Sequence, residues 1–235
     1  MSLTLLYEDE HLVAIDKPPG LLVHRTQLAA HEDEAALQRL RDQLGRPVWP
    51  VHRLDRGTSG VLLFALSSEV ASLLGAMFER GQMHKRYLAL VRGWPRDAQG
   101  LIDHPLARDP ELPSTGQPLL EAQTRWRVLD RRDWPLATDP RFSTTRVALL
   151  EAEPLQGRRH QIRRHLKHIA HPILGDATHG KGPLNRAVAT FLGTQRLWLH
   201  AHRLVFTHPL LGTEVALEAV PADAWGPVPP AAAAR

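Results

Sequence analysis

Residues 52–60 read HRLDRGTSG. One carboxylate, Asp55, stands between Arg53 and Arg56, followed by a Gly57–Gly60 bracket and the apolar run VLLFAL (61–66). A carboxylate near guanidinium groups is favoured in its charged form. Ionised and held in place, it can serve as a nucleophile, a base or a metal ligand. The bracketing glycines permit a sharp turn and the close approach of another backbone. By itself the stretch also fits a structural ion pair at a turn.

Two further stretches bear on the choice. GRRHQIRRHLKHIAHPILGD (157–176) contains a helical pattern. Ile162, Leu166 and Ile169 fall on one face, with Arg163 about 60° from Leu166 by the helical period. Arg163 is therefore expected to be partly buried and to need an acid, for which Asp55 is the candidate. Arg158 and Arg164 read as phosphate contacts, and His160 as an RNA hydrogen-bonder. His160, His165, His168 and His171 also suggest a metal site. The spacing of five between His160 and His165 points them to different faces, and the Glu of an HExxH site is missing, so no metal is expected. In HKRYLALVRG (84–93), Tyr87 follows Lys85 and Arg86 at the start of a strand. Its ring could pack or stack on a base, and its hydroxyl could take part in proton transfer.

The elements that must position these groups follow from periodicity. LTLLYED and HLVAIDK read as strands stopped by Pro18-Pro19-Gly20, and LLVH as a short extended piece. Residues 33–44 and SSEVASLLGAMFERG read as amphipathic helices. The run 61–66, KRYLALVRG, residues 121–129, RVALLEAEPL and the two segments around THPLLG read as strands. Residues 95–118 read as an irregular connection, 131–145 as a hairpin loop, and 226–235 as a disordered tail. Strands that do not strictly alternate with a few helices argue for an α+β fold with a mostly antiparallel sheet. No linker divides the chain.

The 235-residue chain is long enough for a substantial core. It contains no cysteine, which excludes disulfides and thiolate metal sites. The N-terminus lacks the basic region of a secretory signal, and no apolar run reaches the roughly 18 residues of a membrane span, so a soluble cytoplasmic protein is expected. Formal net charge is +4, and Arg far outnumbers Lys, which leans toward a nucleic-acid partner. Walker, dinucleotide-binding and GxSxG patterns do not occur, which argues against nucleotide-driven chemistry and serine hydrolysis.

Taken together, HRLDRGTSGVLLFA, LVAIDKPPGLLVH (12–24), KRYLALVRG and GRRHQIRRHLKHIAHPILGD resemble, in order, the motifs of the RluA-type pseudouridine synthases. The resemblance spans about residues 3–222 and implies an α+β fold with a large mixed, mainly antiparallel sheet, flanking helices and a central catalytic cleft, with residues 1–225 as a single catalytic domain. It implies conversion of uridine to pseudouridine without a cofactor, with Asp55 as the catalytic acid and Tyr87, Arg163 and Arg53 beside it. Lys85, Arg86, Arg158, His160, Arg164, His24 and Arg56 become candidate RNA contacts. The implied substrate is tRNA, at uridine 65 of the T-stem, with the base flipped out and the enzyme acting as a monomer. A ribosomal RNA substrate and a non-catalytic RNA-binding module are the alternatives. The chain opens directly on the motifs, so an N-terminal S4-like domain is not expected. His179 stands in DATHG where many relatives carry Tyr.

Overall fold

A computed structural model describes residues 2–24, 35–222 and 225. In chain order the first elements are β1 (Thr4–Glu8), β2 (Leu12–Lys17), α1 (Ala36–Leu44), β3 (Trp49–Pro50), β4 (Ser59–Ala65), α2 (Ser68–Glu79) and β5 (His84–Arg92). There follow β6 (Gln99–Asp103), β7 (Leu106–Ala107), β8 (Leu119–Leu120), β9 (Gln123–Trp134) and β10 (Thr145–Pro154). The chain continues through α3 (Gln161–His168), α4 (Gly182–Leu192), β11 (Leu199–Thr207) and β12 (Glu214–Glu218). It divides into two compact units: Met1–Tyr87 with Glu153–Gln156 and Leu199–Val220, and Leu88–Ala152 with Gly157–Trp198 and Pro221–Arg235. The class is the expected α+β, with a mixed, mainly antiparallel sheet and flanking helices.

In the first unit the strand order is β1–β2–β4–β11, with β12 paired to β11 and β3 to β4. The pairing of β4 with β11 is parallel, whereas β1/β2, β2/β4 and β11/β12 are antiparallel. Every residue of β4 is buried, which explains its unbroken apolar run. Val61, Leu63 and Ala65 pack on one side with Val70 and Leu74 of α2. Leu62 and Phe64 pack on the other with Ala36 and Leu40 of α1. Full burial of such a side chain stabilises by about 1.5–3 kcal/mol, so the two-sided packing fixes where β4 begins. Ser67 caps α2 by accepting from the Val70 N–H. The first N–H groups of α1 instead donate to the carbonyls of Leu22 and Val23.

In the second unit the order is β5–β10–β9–β6, and β7 pairs with β8. Val147–Leu150 of β10 and Leu88–Val91 of β5 are buried. Trp198 meets Trp225 edge-on at 5.3 Å, and the Arg196 guanidinium lies over both rings.

Several expectations need correction. The segment 95–118 is not wholly irregular, because β6 pairs in register with β9 and Leu106–Ala107 pairs with Leu119–Leu120. The strand expected at 121–129 continues to Trp134. Helix α4 was not foreseen, although Pro183 in its first turn and Gly193 at its end are ordinary helix boundaries. Asp33, Glu34 and the tail 226–235 lie outside the described residues. Among the described residues no helix is long and apolar enough to cross a membrane.

Candidate active site

The first unit presents Asp55 on a tight turn closed by the Thr58 N–H donating to the Asp55 carbonyl at 3.0 Å. Leu54, one residue earlier, is buried in the core beside α1, and Tyr87 packs against the same cluster. Five residues later Gly60 adopts φ +105°. A Cβ there would lie 2.2 Å from the Ala201 carbonyl oxygen, so only glycine permits β11 to approach this closely. The turn is thus pinned at both ends.

A third restraint comes from Lys17. It is fully buried, and its Nζ donates to the carbonyls of Pro18 (3.0 Å), Leu21 (2.8 Å) and Arg56 (3.2 Å). A buried ammonium is tolerated only when its donors are satisfied, and here the acceptors belong to residues 18–21 and to the Asp55 turn. The two segments are also joined by Gly20 N–H to the Arg56 carbonyl and by Arg56 Nε to the Gly20 carbonyl. Arg56 therefore has a structural bond in addition to an exposed side chain, and Arg53 is exposed. His24 is partly buried beside the segment that meets α1.

Behind the turn, Ser59 Oγ lies 2.8 Å from His200 Nδ1, both residues being buried. His200 Nε2 faces the Ala219 carbonyl at 3.0 Å. A carbonyl only accepts, so the imidazole proton sits on Nε2, and the Ser59 hydroxyl donates to Nδ1. The pair adds to the registry of β4 on β11.

Electrostatics place Tyr87 close to Asp55. Burial first, and then the charge of Asp55, push the phenol well above its usual value. Both causes favour the neutral hydroxyl over the phenolate. His52 is pushed down to about 3, by burial and then by Lys85. Its Nε2 accepts from the Leu63 N–H at 3.0 Å, and its ring stacks on Phe78 at 4.7 Å. Lys85 itself is lowered by burial, opposed by Glu153, and donates to the Gln156 carbonyl. Arg86 is partly buried on the same strand.

The second unit holds the other motif. Arg163 is 7% exposed, deeper than the partial burial expected, and pairs with Asp176, which is 1% exposed. Nε meets Oδ2 at 2.8 Å and Nη2 meets Oδ1 at 2.9 Å, a two-bond fork. Thr178 and His179 N–H groups also donate to Oδ1. Burial works to raise the Asp176 carboxyl, but Arg163 and the His179 N–H outweigh it and hold it below its usual value. Gly175 at φ +72° lets Asp176 turn in beside the Arg196 backbone. His160 caps α3 in the left-handed region at φ 55°, a strained conformation for a non-glycine residue. Its Nδ1 lies 3.1 Å from His179 Nε2. Burial is the main cause that lowers His179 to about 4. Arg158 Nε bonds the Glu121 carbonyl and Arg164 Nη1 the Ala107 carbonyl, so both supposed phosphate contacts have internal partners too.

The sequence model of the RNA pseudouridylate synthases matches residues 11–168. The chain belongs to this family. It is 46% identical to tRNA pseudouridine synthase C of Pasteurella multocida, covering 96% of this chain and 94% of that protein. It is 45% identical to tRNA pseudouridine synthase C of Vibrio cholerae, covering 95% and 93%. Among solved structures, human RNA pseudouridylate synthase domain containing 1 superposes with a TM-score of 0.74 at 25% identity, covering 94% of this chain and 84% of that one. Human RNA pseudouridylate synthase domain containing 4 gives 0.68 at 26% identity, covering 92% and 88%.

For this pseudouridylate synthase, the sequence singled out Asp55 and Tyr87 as candidates but gave no role to four residues that the structure ties into these motifs. Lys17 and Asp176 were inside the quoted motifs, and a lone lysine before Pro-Pro-Gly was a signal for a buried cation. Ser59 and His200 are 141 residues apart, and only the fold brings them together.

Proposed function

We propose that the chain converts uridine to pseudouridine in tRNA, at uridine 65 of the T-stem, as a cytoplasmic monomer whose catalytic domain is residues 1–225. The observation that carries the reading is the turn of Asp55, pinned by Leu54, Lys17 and Gly60 beside a phenol whose titration its charge perturbs. Similarity to the curated tRNA pseudouridine synthases C supports the substrate.

The reaction breaks the N1–C1′ bond, turns the base and forms C5–C1′. The C5 proton leaves and N1 gains one, so there is no net oxidation and nothing is added. Asp55 is the acid that engages the sugar or the base. Arg53 serves as its charge partner, and Arg163, seated by Asp176, is a further candidate catalytic residue. A stem uridine must leave its helix to react, at a cost of a few kcal/mol that backbone contacts offset. Tyr87 stacks on the flipped base and donates from its neutral hydroxyl. Lys85, Arg86, Arg158, His160, Arg164, His24 and Arg56 are the candidate RNA contacts.

The test is to incubate the purified chain with unmodified tRNA and with ribosomal RNA, then map pseudouridine, with Asp55→Ala as control. Product at tRNA position 65 that disappears in the variant supports the reading. Product confined to ribosomal RNA, or persisting in Asp55→Ala, overturns it.

A further inference from the structure

The outer side of α3 carries a group of cations that the uridine chemistry leaves unused. His104, between β6 and β7, stacks on His168 in the last turn of α3, with ring centroids 3.8 Å apart and planes 17° from parallel. His165 holds the arrangement from below. Its Nε2 meets the His104 carbonyl at 3.0 Å and its Nδ1 the Thr124 hydroxyl at 2.8 Å. Because the carbonyl only accepts, the ring proton is on Nε2, and Thr124 donates to Nδ1. The main chain bearing His104 is thereby fixed to α3. Arg164 ties the same segment through the Ala107 carbonyl at 2.8 Å. His168 and Lys167 are exposed, and His104 and Arg164 are partly so.

The electrostatic setting differs from that of the neighbouring arginines. Arg159 meets Asp109 and Glu111, Arg163 meets Asp176, and Arg127 meets Glu151. No carboxylate figures among the groups acting on His104, His165 or Arg164. Partial burial, then His168 and Arg164, lower His104. His165 is lowered mainly by burial, and Arg164 by burial. Asp103, next in the chain, is engaged by Gln123 Nε2 at 2.8 Å. The charges of Arg164 and Lys167 attract an anion to this surface, and a bound anion in turn favours the protonated form of the His104 imidazole. A regular row of phosphates is such an anion, and a flat imidazole stack suits a sugar or base edge beside it.

We propose that the His104–His168 stack, with Arg164 and Lys167, is a second RNA contact of this chain, binding sugar–phosphate backbone and not the reacting uridine. This rests on the RNA substrate proposed above and adds a surface to it.

Binding of end-labelled, unmodified tRNA transcript, followed by fluorescence anisotropy across a salt series, tests the proposal. The His104→Ala/His168→Ala double variant and the separate Lys167→Glu variant are compared with the parent chain. Each lost duplex phosphate contact flattens the slope of log Kd against log salt by about 0.9. The double variant should raise Kd about 5- to 20-fold at moderate salt, and kcat/KM should fall by the same factor. Lys167→Glu changes an exposed side chain, so it decides the matter if the double variant folds poorly. It should weaken binding about 3- to 10-fold with a shallower slope. Unchanged Kd and slope in a folded variant overturn the proposal, as does a loss that is the same at every salt concentration. A chain that binds tRNA through this surface yet forms no pseudouridine defeats the isomerase reading alone. Pseudouridine formed with unaltered binding in both variants defeats the surface alone.

Discussion

Asp55 and Asp176 are both motif carboxylates, yet they are held in different ways. Asp55 is positioned through its main chain: its carbonyl closes the turn, Leu54 is sunk in the core, and Lys17 grips the carbonyl of Arg56. Asp176 is positioned through its side chain, whose oxygens take two bonds from Arg163 and one each from the Thr178 and His179 N–H groups. A carboxylate saturated by the protein is a building element. Asp55 differs in exposure: it is partly exposed, on a turn whose backbone is fixed and beside a phenol, where Asp176 is buried.

Exchange of each acid separates the two roles and should give the largest effects. Asp55→Ala should lower kcat by at least about a thousandfold, or roughly 4 kcal/mol of barrier, while the melting temperature falls less than in Asp176→Ala. Asp176→Ala leaves the Arg163 guanidinium buried without its partner, and about 3–5 kcal/mol of stability should be lost. Thermal melting beside single-turnover kinetics reads both. If Asp55→Ala melted early while Asp176→Ala remained stable, the division of labour would be the reverse of the one argued here.

Lys17 extends the comparison, because it is a buried charge that holds the Asp55 turn through the Arg56 carbonyl. Lys17→Met keeps most of the volume and removes three hydrogen bonds from the carbonyls of Pro18, Leu21 and Arg56. A loss of about 2–4 kcal/mol in denaturant unfolding is expected. A fall in kcat larger than the rise in KM should accompany it in the fraction that remains folded, since the Asp55 turn is what loosens. An unaltered kcat in folded Lys17→Met would show that the KPPG loop does not aim the turn.

The two regions were not equally legible in the sequence. β4 and α2 could be read because an all-apolar run and a 3.6-residue stripe are local signals; β4 buries its whole run, while α2 buries Val70 and Leu74, half-buries Met77 and Phe78 and leaves Leu73, read as inward, exposed. β6 could not, because QGLID is short and has one buried side chain, Ile102. Its identity as a strand comes from pairing with β9. The burial of Arg163 followed from its angle on the helix, but Asp176 as a partner did not, since a helical period cannot say which acid a loop brings back. Tyr87 lay in a recognisable motif. The neutral state of its hydroxyl depends on burial, which no spacing reveals.

Acid should destabilise the first unit through His52. Its folded value of about 3 lies below the ordinary 6.5, so the unfolded chain takes up the proton first. Stability from keeping the ring neutral is present above pH 6.5 and is lost progressively as pH falls from 6.5 toward 3. The expected loss by pH 4 is about 1–3 kcal/mol, allowing for the ring's partial exposure. His52→Gln retains an acceptor for the Leu63 N–H and cannot be protonated, so its melting temperature should fall less steeply over that range. Parallel melting curves for the two proteins would remove His52 as a cause. His179, lowered to about 4, titrates over an overlapping range in the second unit, and His179→Gln is the matching control there.

Tyr87 offers the finest test of what surrounds Asp55. Tyr87→Phe keeps the ring against the core cluster that includes Leu54 and removes only the hydroxyl. If the hydroxyl donates a single hydrogen bond during the reaction, kcat should fall about 10-fold, equivalent to roughly 1.4 kcal/mol. Tyr87→Ala also removes the stacking surface, and base–aromatic stacking contributes about 1–3 kcal/mol. Its KM should therefore rise where that of Tyr87→Phe does not. The pH–rate profile discriminates further. A hydroxyl pushed well above its ordinary range is neutral throughout, so the wild-type profile should have no alkaline limb that Tyr87→Phe abolishes. Such a limb, lost in the phenylalanine variant, would mean that the phenol ionises during turnover. Tyr87 would then be a base, and Asp55 would have to tolerate a second negative charge beside it.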